Sequence, residues 1–355
     1  MLFAPAPPQT NLHLMQTSQA ADFRALKLAT GPYQRASNLR SIGQLATSFG
    51  PFLAICAFLY AVPDLPLWAA APLWVVAAAF VVRIFIIQHD CGHGSFFASP
   101  RANRLTGAVC SLATFTPYAA WRRQHAGHHA NWNNLDRRTS GADIYSDCLT
   151  VAEYRALSPM ERFKYRLLRH PAVSLLLIPP LVFLLLYRVP FDTPKTWRKE
   201  RRSVYLTDLG MAAVILALGL TLGFGRVAAV QLPIICIAAV IGVWLFSVQH
   251  RFEHTLWARA TDWSYGEASI AGSSHLRLPR LLRWLTGNIG LHHVHHLNPR
   301  IPNYRLQECH DTLADLQRAP ELSLWEAVAG SRYALWDEDL KRMVSFRAAG
   351  RPIPA

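Results

Sequence analysis

Cysteine, acidic residues and charge in general are all scarce in this chain of 355 residues. Only 16% of positions are charged, too few to solvate the surface of an ordinary soluble domain that is 52% hydrophobic. The six cysteines (Cys56, Cys91, Cys110, Cys148, Cys236 and Cys309) form no CxxC pair and no disulfide-like spacing. A disulfide framework and a sulfur-rich metal site are thereby excluded, and a reducing compartment or membrane burial is favoured. Cys91 lies two residues from both His89 and His93, off their shared helical face, and is not read as a ligand. The acidic residues number 22 against 36 basic ones, a net charge of +14. Nucleic acid is not the partner this implies, because the basic residues ring the hydrophobic blocks and no nucleic-acid module is legible. The first twenty residues lack a basic segment followed by an apolar core, so they do not read as a cleavable leader. Residues 1–40 are expected to form a cytosolic tail, partly disordered, ahead of a single domain over 41–355.

What the chain has in quantity is long apolar runs. Residues 67–88, 205–224 and 227–248 each approach or exceed the roughly 20 residues that cross a bilayer. Residues 45–62 are slightly shorter and contain Pro51, which membrane helices tolerate. Two weaker stretches are expected to dip in without crossing. Residues 105–121 include Ser111, Thr114, Thr116 and Pro117, and residues 172–187 are interrupted by Pro179-Pro180. The second is followed by Arg188, Lys195, Arg198, Lys199, Arg201 and Arg202, a basic run that belongs on the inside. The reading is an all-α integral membrane protein with four spanning helices in two hairpins. Their outer turns are 63–66 and 225–226, and both termini and the basic loops are cytosolic. Trp121, Trp132 and Trp257 read as interfacial anchors, and Arg83 as a snorkelling side chain.

Three histidine clusters border these runs: His89-Asp90-Cys91-Gly92-His93, His125-Ala126-Gly127-His128-His129 and His292-His293-Val294-His295-His296. Imidazole is a neutral nitrogen ligand for iron, copper, zinc or nickel. Helical residues three and four apart share a face, so each cluster aims several rings one way. A single cluster would count for little; three of them at the ends of membrane-like runs point to a metal site. If the three build one site, they must lie on one side of the membrane, which again leaves four crossings and a cytosolic helical cap.

HDCGH followed by GSFF, WRRQHAGHH and GNIGLHHVHHLNPRIPNYRL resemble the three histidine boxes of membrane-bound fatty acid desaturases. The likeness is to the bacterial and plastid acyl-lipid type, often of omega-6 (Δ12) regiochemistry. NNLDRRTSGADIY (133–145), VQHRFEHTLW (248–257) and ALWDEDLKRMVSF (334–346) fit the same pattern, and the resemblance runs from about residue 45 to the end. It implies nine ligands: His89, His93, His125, His128, His129, His250, His292, His295 and His296. Nine nitrogens exceed the needs of one metal, and the resemblance makes the pair two non-haem irons. It further implies O2 as co-substrate, a fatty acyl lipid as substrate, a ferredoxin or cytochrome b5 type electron donor, and residence in the bacterial inner membrane.

Ligating imidazoles usually donate their second N–H to a carboxylate or carbonyl. Asp90, Asp136, Asp143, Glu253 and Asn288 are the candidates for that part; helix capping, or ion pairs with Arg122, Arg123, Arg137 or Arg138, is their alternative use. His254 and His293 are expected to be neighbours of ligands only, and His13, His170, His275 and His310 to be outside the site. Acyl hydroxylation or epoxidation on the same scaffold is the alternative activity. A non-catalytic membrane carrier of metal or haem is remote, because the histidines lie at helix ends rather than within the spans.

Overall fold

A computed structural model of the chain describes residues 22–138 and 147–350. It is mostly helical, and four helices are long and apolar enough to cross a membrane: α1 (Asn38–Ala61), α2 (Leu67–His93), α5 (Arg198–Leu222) and α6 (Phe224–Val248). Between them in the chain lie α3 (Pro100–Thr114) and α4 (Tyr118–Asn131); after them come α7 (His292–Leu297) and α8 (Asn303–Thr312). The four long helices coincide with the four long apolar runs. Large side chains such as Leu53, Trp68, Leu209 and Leu220 stay exposed on them, as suits surfaces that meet lipid rather than protein. The strands are few and short. Leu149–Thr150, Leu335–Asp337 and Arg342–Val344 form one small sheet, and His275–Leu276 pairs in parallel with Glu321–Leu322. They tie loops around the helices, a modest addition to the all-α expectation.

α2 is the axis of the fold and packs against α1, α3 and α6. Its 27 residues span about 40 Å, more than a bilayer core needs, so the last turn carries His89, Asp90 and His93 beyond the apolar stretch. The helix stops at Gly94, whose φ of 71° is left-handed and whose N–H caps the Asp90 and Cys91 carbonyls.

The weaker run 105–121 is not one dipping helix. It breaks at Phe115 (φ 56°) and Thr116, ahead of Pro117, into α3 and α4. Proline disfavours helical geometry in the residue before it. Gln88 on α2 locks the break, accepting from Thr114 Oγ1 at 2.6 Å and donating to the Thr116 carbonyl at 3.0 Å. α3 lies along α2, and Gly107 leaves room for the Tyr118 ring, which a Cβ there would strike. Tyr118 in turn donates to the Cys91 carbonyl at 2.7 Å. α4 therefore begins beside the end of α2.

The run 172–187 is not interrupted at its proline pair. Pro179 and Pro180 occupy the first turn of a helix, Ile178–Leu184, where no N–H is needed. The discontinuity lies upstream: Pro159–Arg169 and Ala172–Arg188 are bent by 54° across a short break, the geometry of a broken span or a re-entrant unit. Arg83 does not snorkel. It is 6% exposed, donates to the Trp284 carbonyl and lies 3.9 Å over the Trp284 ring. Trp132 and Trp257 are buried rather than interfacial.

Candidate metal centre

The nine histidines singled out in the sequence converge, and they do so in two groups. His89, His93, His125, His129 and His295 form one; His128, His250, His292 and His296 form the other, and within each group the candidate ligand nitrogens lie within 4.8 Å of one another. The division cuts across the sequence clusters. Adjacent helical residues point about 100° apart, so His128 and His129 serve different groups, as do His295 and His296. The i, i+4 pairs His89/His93, His125/His129 and His292/His296 each stay together. The groups touch where His129 stacks on His296 at 4.2 Å between ring centroids.

The contacts are between Nε2 atoms: His129 to His125 at 3.1 Å, His295 to His129 at 3.0 Å, His292 to His250 at 2.9 Å, and His296 to His292 at 3.1 Å. Burial, reinforced by the neighbouring imidazoles, holds His125, His129, His292, His295 and His296 well below the ordinary histidine value of 6.5. The rings are thus neutral at pH 7, and neutral imidazole is the metal-binding form. His93 Nε2 is buried without a hydrogen-bond partner among the described residues. Lone pairs gathered away from water are costly unless something electrophilic sits between them. An all-imidazole set suits iron, copper, zinc or nickel, so the residues fit the metal pair that the sequence implies.

The supporting groups are fewer than expected. Asp90, 2% exposed, accepts from His89 Nδ1 at 3.2 Å through Oδ1. Its Oδ2 accepts from the backbone N–H and side-chain Nδ2 of Asn303 at 2.6 and 2.8 Å. Gln44 of α1 steadies Asn303 Oδ1 at 3.0 Å. Asn288, in left-handed conformation (φ 58°), donates to the Asn303 carbonyl at 3.0 Å. Among the described residues, its side chain is therefore linked to the histidines through Asn303 and Asp90. Asp136 is not at the site: it is taken up by Arg259 and the Ala260 N–H. Glu253 accepts from Tyr333 and Arg342 instead. Both carboxylates do make ion pairs, but with Arg259 and Arg342 rather than with Arg122, Arg123, Arg137 or Arg138, the partners named in the alternative. Asp143 lies outside the described residues. His250 Nδ1 is held by the Gly272 carbonyl at 3.1 Å, which also accepts from Asn133 Nδ2. His254 is exposed, and His293 pairs with His310 at 3.1 Å rather than with either group.

Asn303, Gln44 and Asn133 were not legible as site residues. Asn303 and Asn133 lie within motifs already noted, but nothing in spacing couples Asn303 to an aspartate 213 positions earlier. Trp121, read as an anchor, stacks on His125 at 4.6 Å.

An apolar cavity runs between α2 and α6 to these histidines. Val81, Phe85, Ile235 and Val243 are among its walls, and His89, His125 and His292 stand at its inner end. Trp121, Gln124, Phe183 and Tyr187 form its half-buried flank.

Residues 66–327 match the family described as fatty acid desaturase. The chain is 44% identical to a fatty acid desaturase of Bacillus subtilis (strain 168) over 87% of its length and 86% of the relative's. It is 27% identical to the sn-1 oleoyl-lipid 12-desaturase of Synechocystis sp., covering 70% of this chain and 69% of that one. It is 26% identical to the sn-1 acyl-lipid omega-3 desaturase (ferredoxin) of the same organism, over 84% and 82%.

Proposed function

The chain belongs to the fatty acid desaturase family, and on that premise we propose that it is an O2-dependent acyl-lipid desaturase of omega-6 (Δ12) type with two non-haem irons. One observation carries the reading: an apolar cavity ends on three of the converging histidines. The two histidine groups would hold one iron each. Bound there, the irons supply with O2 the oxidising power that breaks unactivated C–H bonds, for which side-chain acids and bases have no purchase.

The chain's own residues perform the remaining tasks. Val81, Phe85, Ile235 and Val243 take up an acyl chain and exclude water. Phe85 packs edge-on against Trp121, and Trp121 against His125, so the wall that touches the chain also fixes a ligand ring. Asp90 keeps the His89 proton on Nδ1, leaving Nε2 free to bind. The overall reaction balances when two hydrogens leave adjacent methylenes, two electrons arrive from a donor and two protons come from solvent, reducing O2 to two waters. A ferredoxin or a cytochrome b5 type protein is the proposed donor; ferredoxin stands in the name of one Synechocystis relative.

The same site sets the proposed topology: two hairpins in the bacterial inner membrane, with the histidines and both termini cytosolic. Its support is that α2 and α6 bring His89, His93 and His250 to the same place from their C-terminal ends. Their partners α1 and α5 join them through the short links 62–66 and Gly223. Cysteines placed at the exposed positions Asp64 and Lys195 should label from outside and inside respectively in intact cells; external labelling at Lys195 breaks the topology.

The activity is tested by mass spectrometry of lipids from an expressing host. Loss of two hydrogens per acyl chain, with the bond located at Δ12, is expected. Addition of an oxygen atom would identify a hydroxylase on this scaffold, and a bond elsewhere would overturn the Δ12 assignment alone.

A further inference from the structure

α6 carries a glycine that packing does not require. A Cβ built on Gly107 or Gly219 strikes the Tyr118 or Phe224 ring, whereas one built on Gly242 meets no atom within 4 Å. Gly242 has no left-handed φ to explain it either. In a helix interior glycine is less favourable than any residue but proline, so steric neighbours and backbone geometry both leave its presence unaccounted for. What Gly242 does face is the apolar cavity that reaches His89, His125 and His292.

Its place along that cavity is informative. Gln249 stands at the histidine end of α6 and Ile235 at the far end, with Gly242 midway, about 10 Å of helix from each. The far walls, Val81, Ile235, Ala238 and Ala239, are buried, while the flank formed by Trp121, Gln124 and Tyr187 is half-buried. The half-buried members of the lining are those of this flank together with Phe85, Gly242 and Phe246, so the end between Val81 and Ile235 is the part most withdrawn from the surface. Gln249 gives a second, independent sign of an occupant: it is 1% exposed, it lines the cavity, and its Oε1 has no hydrogen-bond partner among the described residues. A wall shaped only for packing would have no use for a buried, unpaired amide oxygen.

We propose that Gly242 is a specificity-determining residue: it keeps the far half of the cavity open to the methyl end of the acyl chain, and so sets how many carbons separate that end from the histidines. The polar end of an acyl lipid cannot be stored among Val81, Ile235 and Ala238 without losing its hydrogen bonds. It stays at the flank, where Gln124 donates to Asp192 at 2.6 Å. The methyl terminus is then the stop, and position is counted from it. This rests on the desaturase reading above.

The test uses the full chain in a host without its own desaturase, supplied in turn with saturated and monounsaturated acyl chains of different length. Product lipids are quantified and the double bond located by mass spectrometry. Gly242→Leu should lower conversion of the longest chain relative to the shortest by roughly tenfold or more, the scale of adding side-chain bulk to an apolar specificity pocket. Any residual product should carry its bond nearer the methyl end. Ile235→Ala deepens the cavity and should act in the opposite sense, raising relative use of longer chains. If Gly242→Leu fails to accumulate in the membrane or forms no product, Ile235→Ala decides alone. Wild-type chain-length ratios and bond positions in Ile235→Ala, or in an active Gly242→Leu, overturn the proposal. If the unaltered chain introduces no new double bond into any of these saturated or monounsaturated chains, the desaturase reading fails instead.

Discussion

Asp90→Asn isolates the part of the metal centre that is buried, directional and cheap to alter without changing volume. The Asp90 carboxylate accepts from His89 Nδ1 at 3.2 Å on one oxygen, and from two Asn303 donors at 2.6 and 2.8 Å on the other. An asparagine has one acceptor and one donor end, so only one of these sides can be kept. If its oxygen stays with Asn303, its NH2 faces His89. The pair is then relieved only when the His89 proton moves to Nε2, the atom that must offer a lone pair to the five-histidine group. If its oxygen stays with His89, the NH2 confronts two N–H donors and leaves them unsatisfied, at about 1–3 kcal/mol. Losing such an outer partner typically weakens metal affinity about 10–100-fold, or about 1.4–2.8 kcal/mol. The four-histidine group does not contact Asp90, so metal content should fall from two toward one rather than to zero. The assay is metal content of detergent-purified protein across a chelator titration, with melting temperature followed in parallel. Gln44→Leu, which removes a hydrogen bond to Asn303 and leaves Asp90 its own partners, should shift the same titration less. An Asp90→Asn variant that keeps both metals against chelator like the unaltered chain would refute the tautomer argument.

His250→Ala and His292→Ala should abolish product and metal binding at the four-histidine group, whereas His254→Ala, on an exposed residue, should change stability by less than about 0.5 kcal/mol and keep activity. His293→Ala removes a fully buried ring paired with His310; it should lower stability by about 1–3 kcal/mol while retaining metal, and loss of both metals would place it among the ligands. Acid should destabilise the metal-free protein in a defined direction. His125, His129, His292, His295 and His296 are held well below the ordinary 6.5 in the folded chain, so the unfolded chain binds protons first. The neutral-histidine contribution is therefore complete above about pH 6.5 and lost as pH falls below it. Protons compete with metal over the same range, so metal release and a falling melting temperature should begin together there; a melting temperature that rises on acidification would contradict the sign.

The sequence disclosed those parts of the molecule that rest on local periodicity. Four long apolar runs, two of them with a single charged residue (Arg83 and Asp208), became α1, α2, α5 and α6, because a helix that long and that apolar has few other places to go. The histidine spacing disclosed which rings share a face, but not that adjacent rings would be dealt to different groups, which depends on where α4 and α7 meet α2 and α6. The misread elements are those decided by contacts between distant segments. Residues 105–121 carry a helical pattern throughout, yet Gln88 and Pro117 together divide it. Arg83 sits where a snorkelling residue would, yet Trp284 offers it a carbonyl and a ring 201 positions away. Asp136 and Glu253 sit beside the right motifs, and peripheral partners claim them. Asp90 differs from these two in one physical respect: it is on the same helical turn as the ring it serves, and among the described residues its buried carboxylate has no side-chain partner besides that ring but Asn303. Proximity in sequence therefore foretold a supporting carboxylate only where helix geometry and burial enforced it. That criterion, rather than membership of a motif, is the one to apply to the remaining buried Nδ1 atoms of His129, His292, His295 and His296.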